Sequence, residues 1–260
     1  MSRQSRYVPV LCVLAVIGCG GGKPQESHEP VEAPMQLAQA PQETSAAKGG
    51  SAKIIGAVKF SGSAPAQEKV KMDADPQCLL QHKTAVHKEE VVVNDNGTLR
   101  NVFVYVKEGA QPGTAPTEPA MLDQQGCMYK PHVMGVQVNQ PVQIVNSDQT
   151  LHNVNCKPTK SKPFNLAQPT KGMKTTKTFT APEIMVRCAC NVHPWMSMYI
   201  GVVEHPYFSV SGEDGGFSIA NLPAGQYTVE AWHEKYGTKT QAINVQDGQT
   251  ATLDFEFAAK

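Results

Sequence analysis

Charge of one sign is the first thing missing from this sequence. Its 23 lysines and arginines are balanced by 23 aspartates and glutamates, which leaves no electrostatic case for nucleic acid as a partner. No apolar run reaches the roughly 18 residues that a membrane-spanning helix needs. Long amphipathic helical periodicity is absent as well. The chain has no Cys-x-x-Cys-His for haem attachment and no His-x-His pair. It also has no paired carboxylates or nucleophile–base set in a recognisable frame, so nothing marks a small-molecule substrate pocket. What remains is an all-β sequence, rich in Val and Thr, with 21 glycines and 19 prolines to make turns.

The first residues, MSRQSRYVPVLCVLAVIGCGGGK, open with Arg3 and Arg6, run through apolar Val8–Ile17 and end on Gly18-Cys19. A basic head, a short apolar core and small residues at the cut describe a secretory signal over 1–18. Val16-Ile17-Gly18-Cys19 also resembles the bacterial lipobox, which implies cleavage before Cys19 and lipid on its sulfur. Gly20 carries no aspartate-type retention signal for the inner membrane, so the expectation is an exported lipoprotein facing the periplasm, on the outer rather than the inner membrane. Disulfides persist in such a compartment. Residues 19–50 are Pro-, Gln-, Glu-, Ala-, Ser- and Gly-rich, with too little apolar surface to fold. They read as a tether that spans on the order of 30 Å as a coil.

From Ser51 onward strand follows strand. Ala52–Phe60, Leu99–Lys107, His132–Val138, Pro141–Val145, Leu151–Cys156, Lys174–Phe179, Ile184–Cys190 and Tyr199–Glu204 are the expected strands of a domain over 51–204. Leu99–Lys107 is apolar on both faces, as a strand inside a sandwich is. Beyond it, SGEDGGFSIANLPAGQYTVEAWHEK alternates cleanly, with turns at Asp214-Gly215-Gly216 and Pro223-Ala224-Gly225. This stretch resembles the small transthyretin-like sandwich of the carboxypeptidase regulatory-like module, expected over 205–260. AKIIGAVKFSG resembles that module's first strand, so the two units could share strands. Modules of this kind usually pack, space or bind.

The segment CNVHPWM, residues 190–196, places a thiol, an imidazole and a thioether three residues apart. His152 stands 38 residues before Cys190, after an Asn-Ser-Asp turn. A thiolate, two imidazoles and a thioether suit copper that cycles between two oxidation states. Tyr129-Lys130-Pro131, Pro141–Asn146, His152-Asn153-Val154 and Cys190-x-x-His193-x-x-Met196 stand in the order found in cupredoxins, and most resemble the amicyanin and plastocyanin branch. The resemblance covers about Met128–Glu204. It implies a Greek-key sandwich with one type 1 copper held by His152, Cys190 and His193, with Met196 axial. Asn153 would hydrogen-bond near the thiolate loop, and Met198, at the longer spacing, competes with Met196 for the axial place. Zinc on Cys188, Cys190, His193 and His152 is an alternative that leaves both methionines unexplained. A dinuclear thiolate-bridged site would need its cysteines further apart than Cys188 and Cys190.

Four other cysteines, Cys78, Cys127, Cys156 and Cys188, allow two disulfides in three connectivities. Cys156 lies four residues after His152 and Cys188 two before Cys190, so in regular strands both point to the ligand side. Two strands that share one metal must also approach each other. The expected pairs are therefore Cys156 with Cys188 and Cys78 with Cys127. Cys78, His82 and His87 could bind a metal, but their spacing matches no tight site and reads as a polar loop; His132, His205 and His233 read as structural.

A copper enzyme needs a further site, usually with paired histidines, which this chain lacks. The expectation is a non-enzymatic carrier of single electrons between transient redox protein partners. His193 would be the ligand nearest solvent, with Pro194 and Trp195 forming the docking rim. Copper binding and handling is an alternative, supported by Met185 near Met196 and Met198. A binding or adhesion module with a vestigial metal site is another.

Overall fold

The structure is a computed structural model and describes residues 49–259. The expected signal sequence, the expected acylation site Cys19 and nearly all of the expected tether lie outside the described residues. The chain enters through β1 (Ala52–Ser61), passes a short helix α1 (Pro76–Leu79) and reaches β2 (Phe103–Glu108). Nine strands follow: β3 (Ala120–Gln124), β4 (Tyr129–Lys130), β5 (Val133–Gln137), β6 (Val142–Asn146), β7 (His152–Cys156), β8 (Phe164–Gln168), β9 (Lys174–Lys177), β10 (Glu183–Ala189) and β11 (Ser197–Val203). The last six are β12 (Phe208–Val210), β13 (Gly216–Leu222), β14 (Gly225–His233), β15 (Gly237–Val245), β16 (Thr250–Thr252) and β17 (Phe255–Ala258).

The middle nine strands form two sheets, in the orders β5-β11-β10-β7-β8 and β4-β3-β6-β9. Side chains that alternate inward from both sheets, among them Leu122, Tyr129, Ile144, Val154, Val186 and Ile200, are at most 2% exposed and fill the space between them. A second sandwich has the sheets β13-β1-β16, with β17 also on β1, and β12-β2-β14-β15. Its core holds Val58, Val104, Ile219, Val229, Phe255 and Phe257. The boundary at 204/205 falls between β11 and β12. Across it, β1 pairs with β13, β16 and β17, and β2 pairs with β12 and β14. Two strands from before the boundary thus complete the C-terminal sandwich.

The doubly apolar character of β2 has a physical cause in this arrangement. Val104 and Val106 face the core of their own sandwich. Phe103 and Tyr105 point the other way, into a third cluster with Val133 and Val203 of the neighbouring sandwich. Phe208, Tyr199 and Trp232 pack against it. Burying each such aromatic contributes about 1.5–3 kcal/mol, so the two sandwiches are held by an apolar interface. β2 begins at Phe103 rather than Leu99 because Asn101 sits at φ 63, in the left-handed region, and breaks the pleat. The polar strand β8 was not evident in the sequence; β7 supplies its partner.

Candidate metal centre

His152 is the first residue of β7, and the turn before it is shaped by Asn146. The Asn146 carboxamide donates to the carbonyls of Thr150 (2.9 Å) and Gln168 (2.8 Å) and accepts from the amide of Asp148 (2.9 Å). The 190–196 loop joins β10 to β11 and is closed by its own backbone. The Cys190 amide donates to the Met196 carbonyl at 3.1 Å, and the Met196 amide to the His193 carbonyl at 3.0 Å. The His193 amide points at the Cys190 sulfur, 3.4 Å away. The spacing Cys-x-x-His-x-x-Met is therefore that of one tight turn, with its donors folded inward.

Cys190, His193 and His152 meet in the interior at 4%, 2% and 0% exposure. The Nδ1 atoms of the two imidazoles face each other at 2.9 Å, and the Cys190 sulfur lies 3.8 Å from His193 Nδ1. Each Nε2 is bound to a carboxylate: His152 to Asp148 and His193 to Asp75, both at 2.9 Å. With both Nε2–H groups donated outward, only one proton fits between the facing Nδ1 lone pairs. A metal ion about 2.0–2.3 Å from each nitrogen and the sulfur is compatible with these separations. The residues present therefore fit a metal of the thiolate–imidazole class.

The charges agree. Burial pushes the Cys190 thiol up, but the two imidazoles and the amides of Asn153 and His193 outweigh it and bring it down to about 5. Burial lowers His152, yet Asp148 and Cys190 raise it to about 8. A thiolate beside cationic imidazole is ready to exchange protons for a metal. Cys190 is the one free cysteine among the described residues.

His193 is 2% exposed and presents no open face to solvent, because α1 lies over it: Asp75 caps the helix, and Cys78 of that helix brings its sulfur within 3.5 Å of His193 Nε2. Trp195 packs against the imidazole at a tilt of 46°, with ring centres 5.1 Å apart, and donates its N–H to the Cys127 carbonyl at 3.0 Å. Trp195 is half-buried and Pro194 exposed. Leu79, Leu80, Leu151 and Val192 are exposed apolar side chains at α1, beside His152 and in the 190–196 loop.

Met196 and Met198 are both fully buried in the core that holds Cys190. Met185 is apart from them, in the cluster between the sandwiches, because the backbone turns at its φ of 63. No methionine patch forms from the three. The Asn153 side-chain oxygen accepts from the amide of Asn191, the residue after Cys190, which ties β7 to the loop. Cys156 and Cys188 are directly opposite in β7 and β10 and form a disulfide, with Cα atoms 4.1 Å apart. Cys78 is bonded to Cys127. With its sulfur in a disulfide, Cys188 offers no thiolate, which removes the Cys2His2 zinc set.

Three of the remaining histidines have structural partners. His132 binds the Ser197 carbonyl and Glu234, His205 the Val106 carbonyl, and His82 the Gly126 carbonyl. Two residues of the centre escaped the sequence reading. Asp148 lies in the Asn-Ser-Asp turn four residues before His152, which is a usable local signal. Asp75 is 118 residues from His193, and nothing local announces it.

A family model for the carboxypeptidase regulatory-like domain matches residues 202–258. No curated protein matches the chain. Among solved structures, the chain is similar to a Cu-containing nitrite reductase from Thermus scotoductus SA-01, at 25% identity over 38% of this chain, with a TM-score of 0.32. It spans 25% of that protein's length. It is also similar to a purple cupredoxin from Nitrosopumilus maritimus, at 20% identity over 32% of this chain and 98% of that one, with a TM-score of 0.28. A Cu(I) form of an amicyanin variant aligns at 21% identity over 38% of this chain and 97% of that one, with a TM-score of 0.30.

Proposed function

We propose that this chain is an exported type 1 copper protein, anchored through lipid on Cys19 and facing the periplasm, which carries single electrons between redox proteins. The observation that carries this reading is the buried trio of Cys190, His152 and His193, whose donor atoms all lie within 4.8 Å of one another. Two imidazoles and one thiolate, with a buried methionine on the same loop, are the donors of a blue-copper site. Bound copper would supply a one-electron couple. The chain's own residues do the rest. Asp148 and Asp75 hold the rings with Nδ1 turned inward, the Asn153–Asn191 bond fixes the thiolate loop, and the surrounding core excludes water. A rigid, dry ligand set changes little when the charge at its centre changes by one. No substrate pocket is required.

Storage or delivery of copper is the competing reading, and the covered position of His193 speaks against it, since delivery by ligand exchange needs an accessible ligand. The test is the visible spectrum of the full-length protein after addition of Cu(II), recorded beside Cys190→Ser. An intense thiolate-to-copper charge-transfer band, lost in the variant, is expected. A wild-type protein without the band would end the copper reading and move attention to the C-terminal sandwich.

A further inference from the structure

A buried imidazole that gives one nitrogen to a metal must find a partner for the other, because a polar group left unpaired away from water is destabilising. For His193 water is not available. The partner is Asp75, which comes from a segment far away in sequence and outside the sandwich that holds the ligands. Its carboxylate is itself fixed at both oxygens. Oδ1 accepts the amide of Gln77 at 2.9 Å, the N-cap bond of α1, and Oδ2 accepts the Thr150 hydroxyl at 2.9 Å, next to the start of β7.

Helix α1 has four residues, far too few to hold its shape alone. The Cys78–Cys127 disulfide holds it in place. The bond closes a loop over a separation of 49 residues and so removes chain entropy from the unfolded state. Cys127 is braced in turn, since its amide donates to Asp148 Oδ2 at 2.7 Å and the amide of Gly126 donates to Asp148 Oδ1 at 2.8 Å. Asp148 is the carboxylate on His152. One closed path of contacts thus runs from His152 through Asp148, Cys127, Cys78 and α1 to Asp75 and His193.

We propose that Asp75 is a positioning residue for His193, and that α1, fastened by Cys78–Cys127, is a cover that retains the metal. The inference rests on the copper reading above and deepens it. Asp75 fixes the ring so that Nδ1 faces Cys190, and a charge-assisted hydrogen bond makes the imidazole a better donor. A metal leaves only when His193 swings out, and α1 blocks that path.

The test loads the full-length protein with copper, reduces it, and follows transfer of Cu(I) to excess bathocuproine disulfonate. Asp75→Ala is expected to release copper about 10–100 times faster than wild type while keeping the thiolate-to-copper band in its Cu(II) form. Asp75→Asn, which keeps an acceptor oxygen but no charge, should fall between them, and it carries the comparison if the alanine variant does not fold. Proton NMR of the Cu(I) protein supplies a readout that a general loosening would not move. The His193 Nε2–H resonance should exchange slowly in wild type and be lost in Asp75→Ala, while His205 is unchanged. Release at the wild-type rate with that resonance retained would overturn the proposal and leave the copper reading intact. A wild-type protein with no copper band would take down both, and that outcome is visible before any variant is made.

Discussion

Gly201 of β11 lies against the ring of Phe103 from the other sandwich, so close that a Cβ there would stand 2.5 Å from the ring's Cζ. Its parallel neighbour in β5 is Gly135, where a Cβ would meet Phe208 at 2.4 Å. Two adjacent glycines leave a flat window on the sheet, and two aromatic rings from the C-terminal sandwich fill it. Gly201→Val should therefore force the sandwiches apart and cost about 1–3 kcal/mol or more. For a protein of this size each kcal/mol lowers the melting temperature by about 2–4 °C, which calorimetry would resolve. Gly212→Ala, where the nearest atom is an Asp214 oxygen at 3.5 Å, should leave the melting temperature near the wild-type value. Equal melting temperatures for the two variants would mean that the window does not hold the sandwiches together.

The two buried methionines can be separated by one comparison. Met196 exchanges backbone hydrogen bonds with both Cys190 and His193, whereas Met198 sits in β11 opposite Cys188, beyond the loop. Met→Leu conserves volume and costs less than about 1.5 kcal/mol, so both variants should fold and bind copper. Only Met196→Leu is expected to shift the charge-transfer band and the reduction potential, because an axial thioether tunes both. A larger shift in Met198→Leu would reverse the assignment.

Legibility in the sequence followed the range of the interactions. The meeting of the 190–196 loop with His152 could be read because the spacing is set by a single turn and by the pleat. The Cys156–Cys188 pair could be read by parity for the same reason. Asp75 and α1 could not, since their contacts with the site span more than a hundred residues and leave no periodicity. The covering of His193 is not legible on that account: the loop alone does not reveal the segment that lies over it. Likewise, the two apolar faces of β2 were visible as a pattern, but not that one of them served a second sandwich.

Acid should weaken the fold through His233. Burial among Tyr236 and Phe257 holds its pKa down to about 4, with Glu234 partly opposing and His132 adding to the depression. Its Nδ1 accepts the amides of Lys235 and Tyr236, which the neutral ring alone can do. In the unfolded chain a histidine titrates near 6.5, so between about 6.5 and 4 the unfolded state takes up a proton that the folded state refuses. Stability is full above that window and falls through it by up to about 3 kcal/mol. Urea unfolding at pH 7 and pH 4.5 measures the loss. His233→Asn, which keeps an acceptor near the Nδ1 position, should show a smaller loss than wild type over the same interval. An identical loss would assign the acid sensitivity to another group.

The route by which an electron would leave follows from the covering of His193. With its outer edge on Asp75, the imidazole gives no surface to a partner. Trp195 does: it packs against that ring at a tilt, is half-buried, and is followed around the rim by exposed Pro194 and Val192. Redox encounters use small interfaces, typically below about 1,200 Å², so one charged residue at the contact weighs heavily. Trp195→Glu should leave the copper band in place and slow electron self-exchange between reduced and oxidised copies by about tenfold, or 1.4 kcal/mol. The slowing should ease as salt is raised, because the added charges repel each other only when two such faces meet. Trp195→Phe, which keeps an aromatic ring but loses the N–H bond to Cys127, should stay nearer to wild type. NMR line broadening of the mixed oxidation states gives the rate. An unchanged rate in Trp195→Glu would show that electrons leave by another face, and would direct the search to the side of the sandwich away from α1.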